Sequence, residues 1–385
     1  MANNNKHTGP NVPALRFPEF SGEWEQHSLS DYLRFKNGLN PDAKRFGKGI
    51  KFISVMDILN NASISYDCVR ASVAATEQEI SDFEVEYGDV LFQRSSETLE
   101  DIGRSNIYVD SRHCVFGGFV IRGKMIGEYE PYFMKYRLDS PYARKSIIVK
   151  GAGAQHFNIG QDGLSKVELF FPKYEEQVKI GDLLRIIDDR INTQSKIIEE
   201  LKTLRSALRY KLLHEMMVER MAKLGELCRI TTGKLDANAM VEGGGYPFFT
   251  CAEQVYEIDQ YAFDTEALLV SGNGANLGHI HYYCGKFNAY QRTYVLSDFS
   301  EDIQYLRQYL EAYLSKRIES EKNTGNTPYI VLGTLADMEI KLPKVPEQQR
   351  IAHDLSVLSQ KIENETHMFE LFVQEKKTLL GKMFI

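Results

Sequence analysis

Pro172-Lys173-Tyr174-Glu175-Glu176-Gln177-Val178-Lys179-Ile180 opens a run that occurs twice in this chain. Moved forward by 171 residues, with no gap, it lands on Pro343-Lys344-Val345-Pro346-Glu347-Gln348-Gln349-Arg350-Ile351. Beyond each start the apolar residues step by four and three, the spacing of a coiled-coil seam. The first seam reads Ile180, Leu184, Ile187, Ile191, Ile198, Leu201, Leu208, Leu212. The second reads Ile351, Leu355, Leu358, Ile362, Phe369, Phe372, Leu379, Met383. Both are broken by polar residues at the same two places, Gln194 and Arg205 in one, Glu365 and Lys376 in the other. Any two amphipathic helices share a period. A shared register with shared interruptions and a shared Pro-Lys-x-x-Glu-Gln start is an internal duplication.

Working outward, the chain divides into a lead-in (1–14), a first domain (15–171), a first spacer helix (172–218), a second domain (219–342) and a second spacer helix (343–385). The first domain carries short β-branched and aromatic runs at 50–55, 90–92, 107–109 and 114–121, with a helical pattern from 131. The second carries such runs at 247–250, 267–270, 280–283 and 294–296, then a helical pattern over 303–319. The domain openings echo each other: Leu29-x-Asp31-x-x-x-Phe35-x-x-Gly38 against Leu224-x-Glu226-x-x-x-Ile230-x-x-Gly233. The expected fold is mixed α+β and β-rich. Two globular domains are separated by two long antiparallel coiled-coil helices, with an internal pseudo-two-fold repeat. A spacer of about 33 residues spans about 50 Å at roughly 1.5 Å per residue. Two readers held that far apart match sites about one DNA turn, roughly 34–36 Å, from each other. The periodicity by itself fits equally well a coiled-coil scaffold whose domains bind proteins.

Composition narrows the class. The chain has 385 residues, 43% of them hydrophobic and 26% charged, with 11 prolines, enough apolar content for two or three packed domains. The polar start lacks the apolar region of a signal peptide, and five scattered cysteines form no C-x-x-C pair, which points to a reduced, cytoplasmic protein. A net charge of −7 argues against coating nucleic acid by bulk charge, but not against reading DNA through local patches.

Four stretches invite catalytic readings. Asn326-Thr327-Pro328-Tyr329 resembles the Asn-Pro-Pro-Tyr motif of amino-methyltransferases, with Thr in place of the first Pro and no cofactor loop before it. The glycine-rich stretch from Gly272 to Gly278 leads into a strand pattern, where a phosphate loop wants a helix. Asp337-x-Glu339-x-Lys341 puts its carboxylates side by side on one strand, and His279-x-His281 lacks a third ligand. We therefore expect no catalytic, cofactor or metal site in this chain.

The start Leu15-Arg16-Phe17-Pro18-Glu19-Phe20, then Gly22-Glu23-Trp24, the doubled Pro-Lys-x-x-Glu-Gln, and Gly88-Asp89-Val90-Leu91-Phe92 resemble the specificity subunit of type I restriction-modification enzymes. The similarity spans nearly the whole chain. One departure stands out: the second-half counterpart of Gly88-Asp89 is Glu266-Ala267. The resemblance implies two target-recognition domains, each reading half of a bipartite double-stranded DNA sequence. The helices would set the gap and dock two modification (methyltransferase) subunits, and restriction subunits would join through the complex. S-adenosylmethionine, ATP and Mg would be used on those partners.

Base reading in the major groove calls for Arg or Lys on guanine and Asn or Gln on adenine, carried on loops. On that ground the candidates are Gln93, Arg94, Ser95, Gln155 and His156 in the first domain. In the second they are Asn273, Asn276, Gln291, Arg292, Asn326 and Thr327, and Lys48, Lys51 and Arg144 are candidates for phosphates. Each such residue type is also a common turn-former or strand-end group.

Overall fold

The structure, a computed structural model, describes residues 11–153, 156–321 and 329–385. The chain gathers into two compact units: one runs up to Ser195 and adds His367–Ile385, the other is Lys196–Thr366. The fold is mixed α/β and rich in strands.

In the first unit a four-stranded antiparallel sheet runs in the order Leu33–Asn37, Val120–Met125, Val90–Gln93, Ser105–Ile107. A second sheet orders Ser72–Val73, Phe46–Ile53, Cys114–Phe116 and Glu84–Val85. The run 114–121, which reads as one strand, is two: Gly117 and Gly118 break it. Both positions need glycine, since an added Cβ would lie 2.6 Å from the Phe52 ring or 1.8 Å from Asn40 Oδ1. The core joins Trp24, Leu29, Phe92, Ile121 and Phe133 to Ile180 and Leu184 of the first long helix and to Met383.

The second unit repeats this frame. Its six-stranded sheet orders Arg229–Thr232, Thr293–Ser297, Phe263–Ser271, Ile280–Ala289, Tyr246–Phe249 and Tyr256–Ile258. The first four match the four-stranded sheet in sequence of connection and pairing. Glu25–Ser28 pairs with Glu168–Phe171 in the first unit as Arg220–Lys223 pairs with Glu339–Leu342 in the second. Three of the four echoed positions do the same work in both units. Leu29 N–H donates to Val167 O and Leu224 N–H to Met338 O, both at 2.9 Å. The Asp31 and Glu226 carboxylates cap their short helices by accepting from Ser28 N–H (2.9 Å) and Lys223 N–H (3.1 Å). A Cβ on Gly38 would sit 2.1 Å from Gly117 O, and one on Gly233 would sit 1.9 Å from Ala289 O.

The long helices are Tyr174–Glu215 and Val345–Lys382. None of the sixteen seam residues is exposed, so the stripe read from the sequence is the packed face. Within the first unit Asp188 meets Lys376 Nζ at 2.6 Å and Arg190 lies over the Phe372 ring at 5.9 Å, which makes the helices antiparallel there. Within the second, Arg205 donates to Ser359 Oγ at 3.3 Å, and Leu208 and Leu212 share a core with Ile351 and Leu355. Lys376 and Arg205, two of the polar interruptions, are thus cross-helix partners at equivalent positions.

The doubled Gln is a structural tie. Gln177 donates to Pro172 O (3.0 Å) and accepts from Glu130 N–H (3.2 Å). Gln348 does the same with Pro343 O (3.0 Å) and Asp302 N–H (3.3 Å). Glu130 and Asp302 each cap the helix that follows the last strand of the main sheet. One buried amide therefore fixes the start of the long helix against the globular part in each unit.

Candidate nucleic-acid interface

Both units finish their central strand in the same way. After Val90–Gln93, Arg94 N–H donates to Phe119 O (2.9 Å) and Arg94 O accepts from Ile159 N–H (3.0 Å). After Phe263–Ser271, Gly272 N–H donates to Arg292 O (2.8 Å) and Gly272 O accepts from Ile330 N–H (3.0 Å). The next residues pair in turn, Ser95 with Asn158 and Asn273 with Tyr329. These hydrogen bonds make Arg94 the counterpart of Gly272, Ser95 of Asn273, and Phe119 of Arg292. Each unit thus presents an edge of three segments, and most of the residues singled out for base reading lie on it.

In the first unit the edge joins Arg94 and Ser95 to the strand Phe157–Asn158, next to the exposed His156. Arg94 Nη1 donates to Gly118 O at 3.2 Å, and Ser95 Oγ donates to Asn158 Oδ1 at 2.5 Å. Gln93 is buried; its Nε2 donates to Ser95 O (2.8 Å), and its Oε1 makes no hydrogen bond among the described residues. Its counterpart Ser271 is buried with an unpaired Oγ as well. Gln155 lies outside the described residues.

In the second unit Gln291 and Arg292 are both exposed, and the Arg292 carbonyl holds the Asn273 loop through Gly272. Asn276 Nδ2 donates to Cys251 O at 3.2 Å, which spends one amide hydrogen on loop shape. Asn326 and Thr327 lie outside the described residues.

The phosphate candidates separate. Lys48 is exposed between Gly47 (φ 90°) and Gly49 (φ 92°), where Phe46 and Ile50 both register with Val73 and the residues between bulge outward. Only glycine adopts that conformation without strain, so the bulge holds the lysine out. Lys51 donates to Val69 O at 2.5 Å and lies over the Tyr66 ring. Arg144 is half-buried and donates to Glu100 O (2.8 Å) and Ile102 O (2.6 Å), and burial pulls its basicity down. It braces a turn more than it faces solvent.

Sequence reasoning missed Phe119, 70% exposed at the tip of the first unit's edge. The signal was Gly117-Gly118 inside an apparent strand, which marks a turn and not a run.

The remaining polar clusters are satisfied internally. His281 Nε2 lies 3.0 Å from Ala252 O, and burial lowers the imidazole's pKa. Asp337 pairs with Lys223 at 2.8 Å across the strand from Glu339. Among the described residues Glu84, Glu86 and His113 bring ligand atoms within 4.8 Å of one another, with the Lys124 ammonium 3.1 Å from Glu86 as counter-charge.

A family model for the type I restriction modification DNA specificity domain matches residues 21–203 and, a second time, residues 218–369. The chain belongs to that family. It is 44% identical over 153 residues to the type I restriction enzyme EcoDI specificity subunit of Escherichia coli, a match covering 40% of this chain and 34% of that one. The chain therefore meets about a third of that relative's length. It is 23% identical to the putative type I restriction enzyme MjaX specificity subunit of Methanocaldococcus jannaschii, over 96% of this chain and 95% of the other. Its fold is that of the type I restriction-modification S subunit from M. genitalium, with a TM-score of 0.68 at 16% identity, covering 97% of this chain and 99% of that one. A chain from a study of complex assembly and conformational transition in the type I R-M system superposes with a TM-score of 0.55 at 14% identity, over 93% and 96%. No helix among the described residues is long and apolar enough to cross a membrane.

Proposed function

We propose that this chain is the DNA-reading and assembly subunit of a type I restriction-modification enzyme, working in the cytoplasm without catalysis of its own. The observation that supports this most directly is the doubled edge, where one hydrogen-bonding scheme presents groove-reading residue types twice. Arg94, Ser95, His156 and Gln155 would read one half of a bipartite target, and Asn273, Gln291, Arg292, Asn326 and Thr327 the other, through base edges in the major groove. Lys48 is the best placed phosphate contact. Domains 15–171 and 219–342 are the readers in this proposal, and the helices of 172–218 and 343–385 set the gap and dock two modification subunits. Methyl transfer from S-adenosylmethionine, ATP-driven translocation and Mg-dependent cleavage belong to those partners and to restriction subunits. With a net charge of −7, the chain relies on them for much of its phosphate contact.

The test is selection from a randomised duplex pool by the purified chain, with and without its modification subunit. Two short motifs at a fixed gap are expected. Retention with no motif, or no retention even with the partner, would leave only a coiled-coil scaffold.

A further inference from the structure

The two edges differ sharply at one pair of equivalent positions. Phe119 and Arg292 are each held by the carbonyl that accepts from the residue after the central strand. Phe119 projects from a two-glycine turn, 70% exposed, on the rim of an apolar cleft whose walls include Leu39, Pro41, Phe46, Phe52 and Met56. Phe46 and Met56 are themselves 42% and 60% exposed. Arg292 is exposed, and its guanidinium makes no hydrogen bond or ion pair among the described residues. An aromatic ring left in water beside other apolar groups is stabilised by meeting an apolar surface. On base edges in the major groove the apolar group is the thymine C5-methyl, whereas O6 and N7 of guanine match an arginine fork.

We infer that equivalent positions read opposite base types: Phe119 packs on a thymine methyl in one half-site, and Arg292 takes a guanine in the other. This rests on the DNA-reading proposal and adds what each edge recognises. The direction of the swap follows from the side chains alone, because the main-chain scheme that aims them is the same.

The experiment uses the full chain assembled with its modification subunit and the duplex obtained by selection. Each thymine is replaced in turn by uracil, which removes only the methyl, and each guanine by 7-deazaguanine, which removes N7. For the wild type, one uracil in one half-site is expected to weaken binding about fourfold, the equivalent of about 0.8 kcal/mol per buried carbon. Phe119→Ala should erase that penalty, and Phe119→Leu should keep most of it. Arg292→Ala should weaken binding about 5- to 150-fold, the range of one bidentate base contact, and become indifferent to one 7-deazaguanine in the other half-site. Both side chains are exposed, so melting temperatures should not move. If Phe119→Ala keeps the full uracil penalty, or Arg292→Ala the full 7-deazaguanine penalty, the inference is overturned while bipartite reading stands. If the wild type selects no motif at all, the DNA-reading proposal itself fails.

Discussion

The first unit interrupts its central strand where the second runs straight through. Gly88, with φ 91°, turns the chain between Glu84–Val85 and Val90–Gln93, and the buried Asp89 carboxylate accepts from Glu86 N–H (3.1 Å) and Met125 N–H (3.0 Å). At the same place the second unit has Glu266-Ala267 inside the nine-residue strand Phe263–Ser271, paired along its length with Ile280–Ala289. The departure noted in the sequence is thus a change from turn to hairpin. The four-stranded order, the capping carboxylates and the edge hydrogen bonds survive it. A frame fixed by main-chain bonds tolerates different insertions and different side chains at its rim.

Breaking equivalent contacts in the two units tests this comparison. The largest contrast is expected at Asp188 and its counterpart Ser359. Asp188 is buried and accepts from Lys135 (3.0 Å), Tyr136 (2.8 Å) and Lys376 (2.6 Å), while the half-buried Ser359 hydroxyl accepts from Arg205 (3.3 Å) and donates to Leu355 O in its own helix (3.1 Å). Asp188→Ala strands two ammonium groups and should cost about 3–5 kcal/mol. Ser359→Ala should cost about 1 kcal/mol or less, and urea unfolding of the two variants reads the difference.

Next comes the glutamate that precedes each doubled Gln. Glu176 is buried and takes both Nε (2.8 Å) and Nη2 (2.7 Å) of Arg16, whereas Glu347 pairs with the exposed Arg350 three residues on. Arg16→Ala should destabilise by about 1.5–3 kcal/mol, the worth of hydrogen bonds to a charged group. Arg350→Ala should leave the unfolding midpoint unchanged. Equal costs would mean that the two glutamates are not unequal anchors.

Gln177→Ala and Gln348→Ala act on the tie that the two units share. Both remove the same two bonds from a buried site, and Gln348 also donates to Glu301 Oε2 (2.7 Å), so Gln177→Ala should cost about 1–2 kcal/mol and Gln348→Ala more than that in the same urea titration.

The smallest effect is on acid stability. Burial pushes the Asp188 carboxyl up, but Lys135 and Lys376 together outweigh it, and the net direction is down. Its folded pKa lies below the unfolded value of about 3.9, so its contribution is complete above that pH and is lost as the pH falls further. The stability gap between wild type and Asp188→Asn should therefore shrink below about pH 4. Ser359 does not titrate, so no such term enters from its site.

The helices, their seam, their common start and the duplication were legible in the sequence. Helical packing repeats every few residues, and the two copies keep one offset of 171 from Glu168/Glu339 onward. The strands were legible as runs but not in their order, because pairing joins residues far apart in the chain. The offset between counterparts is 195 at Leu29/Leu224, 178 at Gln93/Ser271 and 173 at Val120/Thr293. No ungapped comparison spans that drift.

For the same reason the candidate residues after the two central strands could be named from chemistry but not matched to each other. Gln93 and Arg144 show the other limit: a polar side chain looks free in a sequence until its carbonyl partners, Ser95 in one case and Glu100 and Ile102 in the other, arrive by folding. Local periodicity and repetition determined the plan of domain, helix, domain, helix. The tertiary structure alone decided that Phe119 and Arg292 occupy the same place, since that identity is carried by main-chain hydrogen bonds between segments with no common spacing.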